Sequence, residues 1–338
     1  MTTIRHNPLP AAVRAQRRAL RWLIGLLLGS ASAASFAQTT LRLWNIHGEG
    51  YPVTTAVNWY ADQIAQATQG RYRVQVFSNA SLGDQPTAVA MLKAGDLDLA
   101  EFSSAPLTDA VPGIKVLNMP FLFHDSAHMF RHLDGALGVQ FSRELAASGF
   151  AVLGWYDGGA RSFYCVHPVR TIGDLAGKRI RVQKSEVYTG LVEALQSTPA
   201  FIPFKEVQSA FQAGQIDCAE NNMPSYESTG HYQLAKHVYL TNHVVSPEAL
   251  VMSTKLWNSL SAEDKATFKD LGQQSARYMR ELWNKRVAEA LALTTEKGSD
   301  FARLKDPAIM IRRMAPLYGK YMKDPATYKV LLTVVADK

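Results

Sequence analysis

The sequence predicts an α/β fold in two lobes. Three observations predict it. Strand-like and helix-like segments alternate from Leu41 onward, the same rhythm restarts after Asp157-Gly158-Gly159, and one helical pattern near the C-terminus is too long for a single small lobe. A chain of 338 residues is generous for one core and natural for two.

In the first half, Leu41-Arg42-Leu43-Trp44 reads as a strand followed by the turn residues Asn45, His47, Gly48, Glu49 and Gly50. Val53, Val57, Tyr60 and Ile64 then recur at helical spacing, and Gly70 stops the helix. Tyr72, Val74 and Val76 alternate with Arg71, Arg73 and Gln75, the pattern of a half-buried strand. A helix from Asp84 to Ala94 and a strand from Leu97 to Phe102 follow, so a mainly parallel sheet covered by helices is expected. After the Gly-Gly pair, strands are expected at Arg161–Val166, Lys178–Gln183, Phe201–Phe204 and Ile216–Ala219. Helices are expected at Thr171–Leu175, Glu186–Gln196 and Val207–Ala213. Ser261, with Asp264 three residues on, opens a helix whose apolar stripe runs from Phe268 through Leu271, Met279, Trp283 and Val287 to Leu291, and Gly298 ends it. Such a helix would span roughly 50 Å and lie across both lobes.

The formal charge of +7 is concentrated at the N-terminus. Arg5, Arg14, Arg17, Arg18 and Arg21 precede an apolar run, Trp22 to Leu28, and small residues ending Ser35-Phe36-Ala37. This is the layout of a cleaved signal peptide over residues 1–37, and Arg17-Arg18 also fits the twin-arginine route. That segment holds five Arg and no acid, so only +2 remains on the rest, and nucleic-acid binding loses its main support. The apolar run is shorter than the roughly 20 residues needed to span a bilayer. A soluble exported protein is expected.

No enzyme motif survives inspection. Gly173 to Arg179 has three residues between its glycines where a phosphate loop has four, and Arg where magnesium needs Ser or Thr. Gly48-Glu49-Gly50-Tyr51-Pro52-Val53 lacks the third glycine of a dinucleotide loop, and no Gly-x-Ser-x-Gly elbow occurs. In His124-Asp125-Ser126-Ala127-His128 the two histidines lack a third ligand, and Asp125 or Ser126 reads better as the cap of a helix starting at Ala127. No metal and no cofactor are expected. Cys165 and Cys218 lie in strand-like segments and would form one disulfide if those strands adjoin.

The remaining signal is polar groups at strand ends. Arg161 opens a strand, and Arg181 lies in Arg179-Ile180-Arg181-Val182-Gln183, on the face opposite Ile180 and Val182. A guanidinium holds a carboxylate through two parallel hydrogen bonds, which Lys cannot copy. The following stretch, Phe204-Lys205-Glu206-Val207 through Gly214-Gln215-Ile216-Asp217-Cys218-Ala219-Glu220-Asn221, resembles the signature of the solute receptors of TRAP (tripartite ATP-independent periplasmic) transporters. Cys218 stands where that family usually has Gly, and Asn222 where it has Pro. The resemblance extends to Ser81-Leu82-Gly83-Asp84, Ala94-Gly95-Asp96-Leu97-Asp98, Met119-Pro120-Phe121-Leu122-Phe123 and Leu175 to Val182, in order along the chain.

The resemblance implies the two-lobed periplasmic binding protein fold with a hinge, a long helix spanning both lobes, and one organic acid held between them. It implies lobe I at residues 38–158 and 247–286 and lobe II at 159–246 and 287–338. Arg181 matches the arginine that grips the ligand carboxylate, Arg161 an assisting arginine, Asn221 a donor to that carboxylate, Phe204 a ring packed on the ligand, and Glu206 a structural acid. Asn45, His47, Glu49, Gln85 and Ser103 fall where the first lobe sets specificity. Without ligand, Arg181 is expected to stay hydrated or to lean on Glu220. The first-lobe candidates offer little positive charge for a second carboxylate, and Arg161-Ser162-Phe163-Tyr164 resembles the hexuronate-binding members. Glucuronate or galacturonate is therefore favoured over a C4-dicarboxylate or sialic acid. The resemblance also implies a periplasmic monomer that works with the membrane subunits of its transporter. An exported hydrolase or metal-dependent enzyme is the alternative of another class.

Overall fold

The computed structural model describes residues 38–337, and the signal-peptide reading of residues 1–37 lies outside them. The first lobe follows the predicted rhythm closely: β1 (Thr39–Trp44), α1 (Pro52–Ala67), β2 (Tyr72–Phe77), α2 (Gln85–Ala94) and β3 (Leu99–Ser103). Asp84 caps α2 by accepting from the Thr87 amide, and Gly95 ends it in the left-handed conformation. α3 (Ser126–Leu133) is capped by Asp125, which leaves His124 outside the helix that carries His128. α4 (Ala136–Ala147) follows.

The strand expected at Arg161–Val166 is part of a longer one. β4 runs without a break from Phe150 to Cys165, and Asp157-Gly158-Gly159 lies inside it at a shift of register. Asp157 turns back to accept from the Gly159 amide, so the Gly pair bends a strand instead of ending one. β4, of 16 residues, pairs antiparallel with the 17-residue strand β8 (His237–Ser253). These two strands cross the whole molecule and join what the rhythm had divided.

Between them lie β5 (Arg179–Val182), α5 (Glu186–Ala194), β6 (Thr198–Phe201), α6 (Val207–Gln212), β7 (Cys218–Asn221) and α7 (Met223–Ser228). The nine strands of the described residues, counting β9 (Asp300–Arg303), form one sheet in the order β2-β1-β3-β8-β4-β7-β5-β6, with β9 paired to β8. The sheet is mixed: among the described residues five strand pairings are parallel, as the alternating rhythm predicts, and three are antiparallel. β1–β2, β1–β3, β5–β6, β5–β7 and β8–β9 are parallel, whereas β8 runs antiparallel to β3 and β4, and β7 antiparallel to β4. Periodicity reads burial along a strand but not the direction of its neighbour.

α8 (Thr254–Ser259) leads into α9 (Ala262–Glu296), the long helix, capped by Ser261 through the Asp264 amide. Phe268, Leu271, Met279 and Trp283 join the core around α1 and β1, and Ala290 and Leu291 join the core around α6 and α7. The helix therefore anchors in both cores. It approaches β4 so closely that a Cβ at Gly154 would lie 2.5 Å from the Gly272 carbonyl oxygen. The C-terminal helices α10 (Pro307–Arg313), α11 (Ala315–Tyr321) and α12 (Pro325–Ala336) close the molecule. Leu317 packs on Gly190 of α5, while the Tyr318 hydroxyl donates to the Pro120 carbonyl at 2.7 Å. Among the described residues, no helix is long and apolar enough to cross a membrane.

Candidate functional site

Register decides which acid meets which arginine. β4 and β7 pair Ser162 with Asn221 and Phe163 with Glu220, and Cys165 with Cys218, which are joined in a disulfide. This places the Arg161 side chain over the end of β7. Its Nε donates to Glu220 Oε2 at 2.6 Å, its Nη2 to Glu220 Oε1 at 2.8 Å and to the Glu220 carbonyl at 2.9 Å, and its Nη1 to Asn221 Oδ1 at 2.8 Å. Both side chains are almost fully buried. Burial alone would raise the Glu220 pKa, but the Arg161 charge, with His243 Nε2 3.6 Å from the carboxylate, holds it below the usual carboxylate range.

Arg181 is different. It is 4 % exposed, and its Nε donates to the Ile202 carbonyl at 2.9 Å, which fixes the plane of the guanidinium. Its other four N–H groups have no acceptor among the described residues. Burial lowers its pKa and the positive Arg161 adds to that, while Tyr164 and Glu220 work against it. Of the two states expected for Arg181 without ligand, hydrated or leaning on an acid such as Glu220, the structure does not show the second: both Glu220 oxygens accept from Arg161. With the Arg161–Glu220 charges cancelling, Arg181 remains a buried cation without a counter-ion among the described residues.

It lines a cavity of about 180 Å³ with Gln85 and Ile46 on one side and Gln183, Ile202 and Phe204 on the other. Two contacts cross between the lobes beside it. The Ser103 hydroxyl donates to Gln183 Oε1 at 3.2 Å, and Tyr51 reaches Ser225 Oγ at 3.0 Å and Asn222 Oδ1 at 3.3 Å.

The structure brings most of the predicted residues to this cleft. Gln85 is buried and donates to the Ser103 carbonyl at 2.8 Å. Phe204 presents its ring to the edge of His47, centroids 5.7 Å apart, and His47 stacks on Tyr51 at 3.7 Å. Asn45 is fully buried, with Oδ1 accepting from the His47 amide and the Thr54 hydroxyl, and its Nδ2 has no partner among the described residues. Asn221 accepts through Oδ1 from Arg161 and the Asn222 amide, which turns its two Nδ2 hydrogens outward from that pair. Glu49 and Glu206 are exposed. Glu49 accepts from Ser78 and Asn58, lining a neighbouring cavity with His47 and Phe204, and Glu206 contributes its backbone carbonyl to Ser209.

Four residues were missed. Asn222, at the position of the usual Pro, caps α7 and ties it to the Gly158 carbonyl at 2.8 Å, so the departure from the motif is a cap and a cross-link. Tyr51 bridges the lobes. Glu101 and Glu248 are buried together, and burial plus mutual repulsion raises the pKa of Glu101 well above normal; burial pushes that of Glu248 up to about 7. The sequence carried one signal for Glu101: an acid inside the apolar strand Leu99-Ala100-Glu101-Phe102.

A cleft between two α/β lobes, crossed by hinge strands and holding one unpaired guanidinium, defines a receptor for a small organic anion. The chain belongs to the bacterial extracellular solute-binding protein family 7, whose model matches residues 45–324, the family of the TRAP periplasmic receptors. It is 33% identical over 316 residues to a solute-binding protein of Chromohalobacter salexigens, covering 93% of this chain and 94% of that one. Among solved structures it is similar to a TRAP periplasmic solute-binding protein from Roseobacter denitrificans with bound β-D-glucuronate. The identity is 38%, the TM-score 0.86, and the match covers 89% of this chain and 100% of that one. A Sulfitobacter protein of the same kind with bound β-D-galacturonate matches at 34% identity and TM-score 0.84, covering 87% of this chain and 98% of that one.

Proposed function

We propose that this chain captures a hexuronate, glucuronate or galacturonate, in the periplasm and delivers it to the membrane subunits of a TRAP transporter, with no chemistry of its own. The observation that carries this reading is Arg181: one buried guanidinium without a counter-ion matches one carboxylate. A buried charge is costly unless paired, so an incoming carboxylate relieves the receptor as well as the ligand. Arg181 supplies two parallel N–H groups, Asn221 Nδ2 a third donor, and the Phe204 ring an apolar wall for one sugar face. Arg161 acts from behind, holding Asn221 by its oxygen. The bound structures of similar proteins from Roseobacter denitrificans and Sulfitobacter hold hexuronates, which supports the choice among acids. Lobe I is proposed at residues 38–158 and 247–286 and lobe II at 159–246 and 287–338. The hinge then falls inside β4 and β8, where Gly158 and Gly159 permit bending.

The test is titration calorimetry with glucuronate, galacturonate, malate, succinate and sialic acid. Tight one-to-one binding of a hexuronate is expected, with the C4-dicarboxylates and sialic acid much weaker. Preference for a dicarboxylate or for sialic acid would overturn the hexuronate reading. Chelator-sensitive turnover of a substrate would instead support an exported enzyme.

A further inference from the structure

Two histidines and an aspartate meet beside α3, and the carboxylate clamp uses none of them. The histidine pair that the sequence offered, His124 and His128, is divided by the Asp125 cap, but α3 carries its own pair, His128 and His132. Positions i and i+4 share a helix face, and the two rings bring their Nε2 atoms to 3.3 Å. The segment after α12 brings Asp337 to the same place, with Oδ2 3.3 Å from His132 Nε2. All three ligating atoms lie within 4.8 Å of one another. None of the three residues lines the Arg181 cavity.

Hydrogen bonding does not account for this arrangement. His128 Nδ1 accepts from the His124 amide at 3.2 Å, so a neutral His128 ring carries its proton on Nε2 and turns it to His132 Nε2. His132 Nε2 then accepts, and it has no proton left for Asp337. Its lone pair faces a carboxylate. Protonating the pair would remove the conflict, but burial lowers the pKa of both rings, and Arg131 adds to that against the pull of Asp337. The distances fit a shared cation better. Ligands held tetrahedrally at zinc bond lengths of about 2.0–2.1 Å stand about 3.3–3.4 Å apart, whereas N–H···O hydrogen bonds centre near about 2.9–3.0 Å.

We propose that His128 Nε2, His132 Nε2 and Asp337 Oδ2 form a zinc site that fastens the segment after α12 to α3. Two imidazoles and one carboxylate are a zinc-type donor set, and a fourth position is left for water. Access comes from the carboxylate side, where the Asp337 side chain is 47 % exposed and that of His132 11 %. Phe123 packs edge-on against His128 and gives the site an apolar wall. Arg131 Nε donates to Asp337 Oδ2 at 3.3 Å, and this exposed guanidinium turns to water or to the other carboxylate oxygen when the metal takes Oδ2. The proton on His128 Nε2 moves to Nδ1, and the amide of His124, an exposed residue, turns to water. Val330, Leu331 and Val334 of α12 already pack into the core, so the metal adds a second anchor just beyond them. This site is independent of the hexuronate reading.

The experiment strips the tag-free protein with EDTA, titrates it with Zn²⁺ by calorimetry, and follows Co²⁺ binding by visible absorption. Wild type is expected to take one equivalent of zinc and to show the intense bands of tetrahedral Co²⁺. Its Tm is expected to rise by about 4 °C at a 100-fold excess of zinc over Kd. His132→Gln and Asp337→Asn, both at solvent-accessible positions, are expected to weaken zinc roughly tenfold or more and to lose the Co²⁺ bands. Both variants are expected to bind glucuronate as tightly as wild type. An unchanged zinc titration in the two variants would overturn the proposal. So would a wild type that takes up no zinc, or that binds Co²⁺ without the tetrahedral bands. Zinc lost in His47→Gln but kept in His132→Gln would move the metal to His47, Glu101 and Glu248, and would equally overturn it. A protein that binds zinc through His132 and Asp337 but binds no hexuronate would sink the transport reading and support this site.

Discussion

Arg161 and Glu220 are locked together by two side-chain hydrogen bonds of 2.6 and 2.8 Å, and this pairing leaves Arg181, the neighbouring arginine, without a carboxylate. Two arginines in one cleft thus take different roles. One is neutralised inside the protein and supports its partner; the other waits for an anion from outside.

Removing Arg181 is expected to abolish binding without harming the fold. Arg181→Ala should cost roughly 2–5 kcal/mol of affinity, as for truncating one partner of a buried charged pair. Its thermal stability without ligand should be unchanged or higher, because a buried charge without a partner is removed. Arg181→Lys should also bind more weakly, since one point charge replaces a fork. Calorimetry on both variants checks this.

The opposite behaviour is expected of Arg161→Met. It strands Glu220 at 0 % exposure and should destabilise the ligand-free protein by about 3–5 kcal/mol in urea titration. Arg161→Met with Glu220→Gln should recover much of that loss, because no buried charge is left over.

Inside β4, Gly159 has φ +70° and a Cβ there would lie 2.5 Å from the Trp283 ring of α9. Gly159→Ala should therefore cost about 2–4 kcal/mol, combining the left-handed backbone with a clash against an aromatic ring. Gly177, at φ +75° with open space around its Cβ position, provides the control. Gly177→Ala should cost only about 1–2 kcal/mol. Chemical denaturation of the two variants separates backbone strain from crowding.

Glu248 links stability to pH. Its pKa is raised in the folded state to about 7 from 4.5, so the folded protein holds a proton that the unfolded chain has released. Stability from this group is full below pH 4.5 and is lost as pH rises to 7, up to about 3 kcal/mol. Glu248→Gln should then stabilise the ligand-free protein at pH 8, and the gain should fade toward pH 4.5. Melting curves of both proteins at pH 5 and pH 8 test the sign.

The Cys165–Cys218 bridge closes a sequence separation of 53 residues. Reduction, or replacement of both residues by Ser, should lower stability by about 4 kcal/mol on the chain-entropy account. The register of β4 on β7, and with it the Arg161–Glu220 pair, should survive, so ligand affinity in the folded state should change little.

The sequence alone determined most of the local structure. Apolar spacing located β1, α1, β2 and α2, and the Ser261–Asp264 cap and the stripe from Phe268 to Leu291 located the 35-residue helix α9. These are near-neighbour effects, written in three- and four-residue spacings. The motif from Phe204 to Asn221 pointed to both arginines. What only the tertiary structure decided is pairing across long separations. It showed that β4 runs through the Gly-Gly pair, that Glu220 serves Arg161, and that Cys165 meets Cys218. It also showed that Glu101, 147 positions before Glu248, lies beside it in the core. Strand register and burial are cooperative properties of the packed sheet. A single strand carries the alternation of its own side chains but nothing that names the residue opposite.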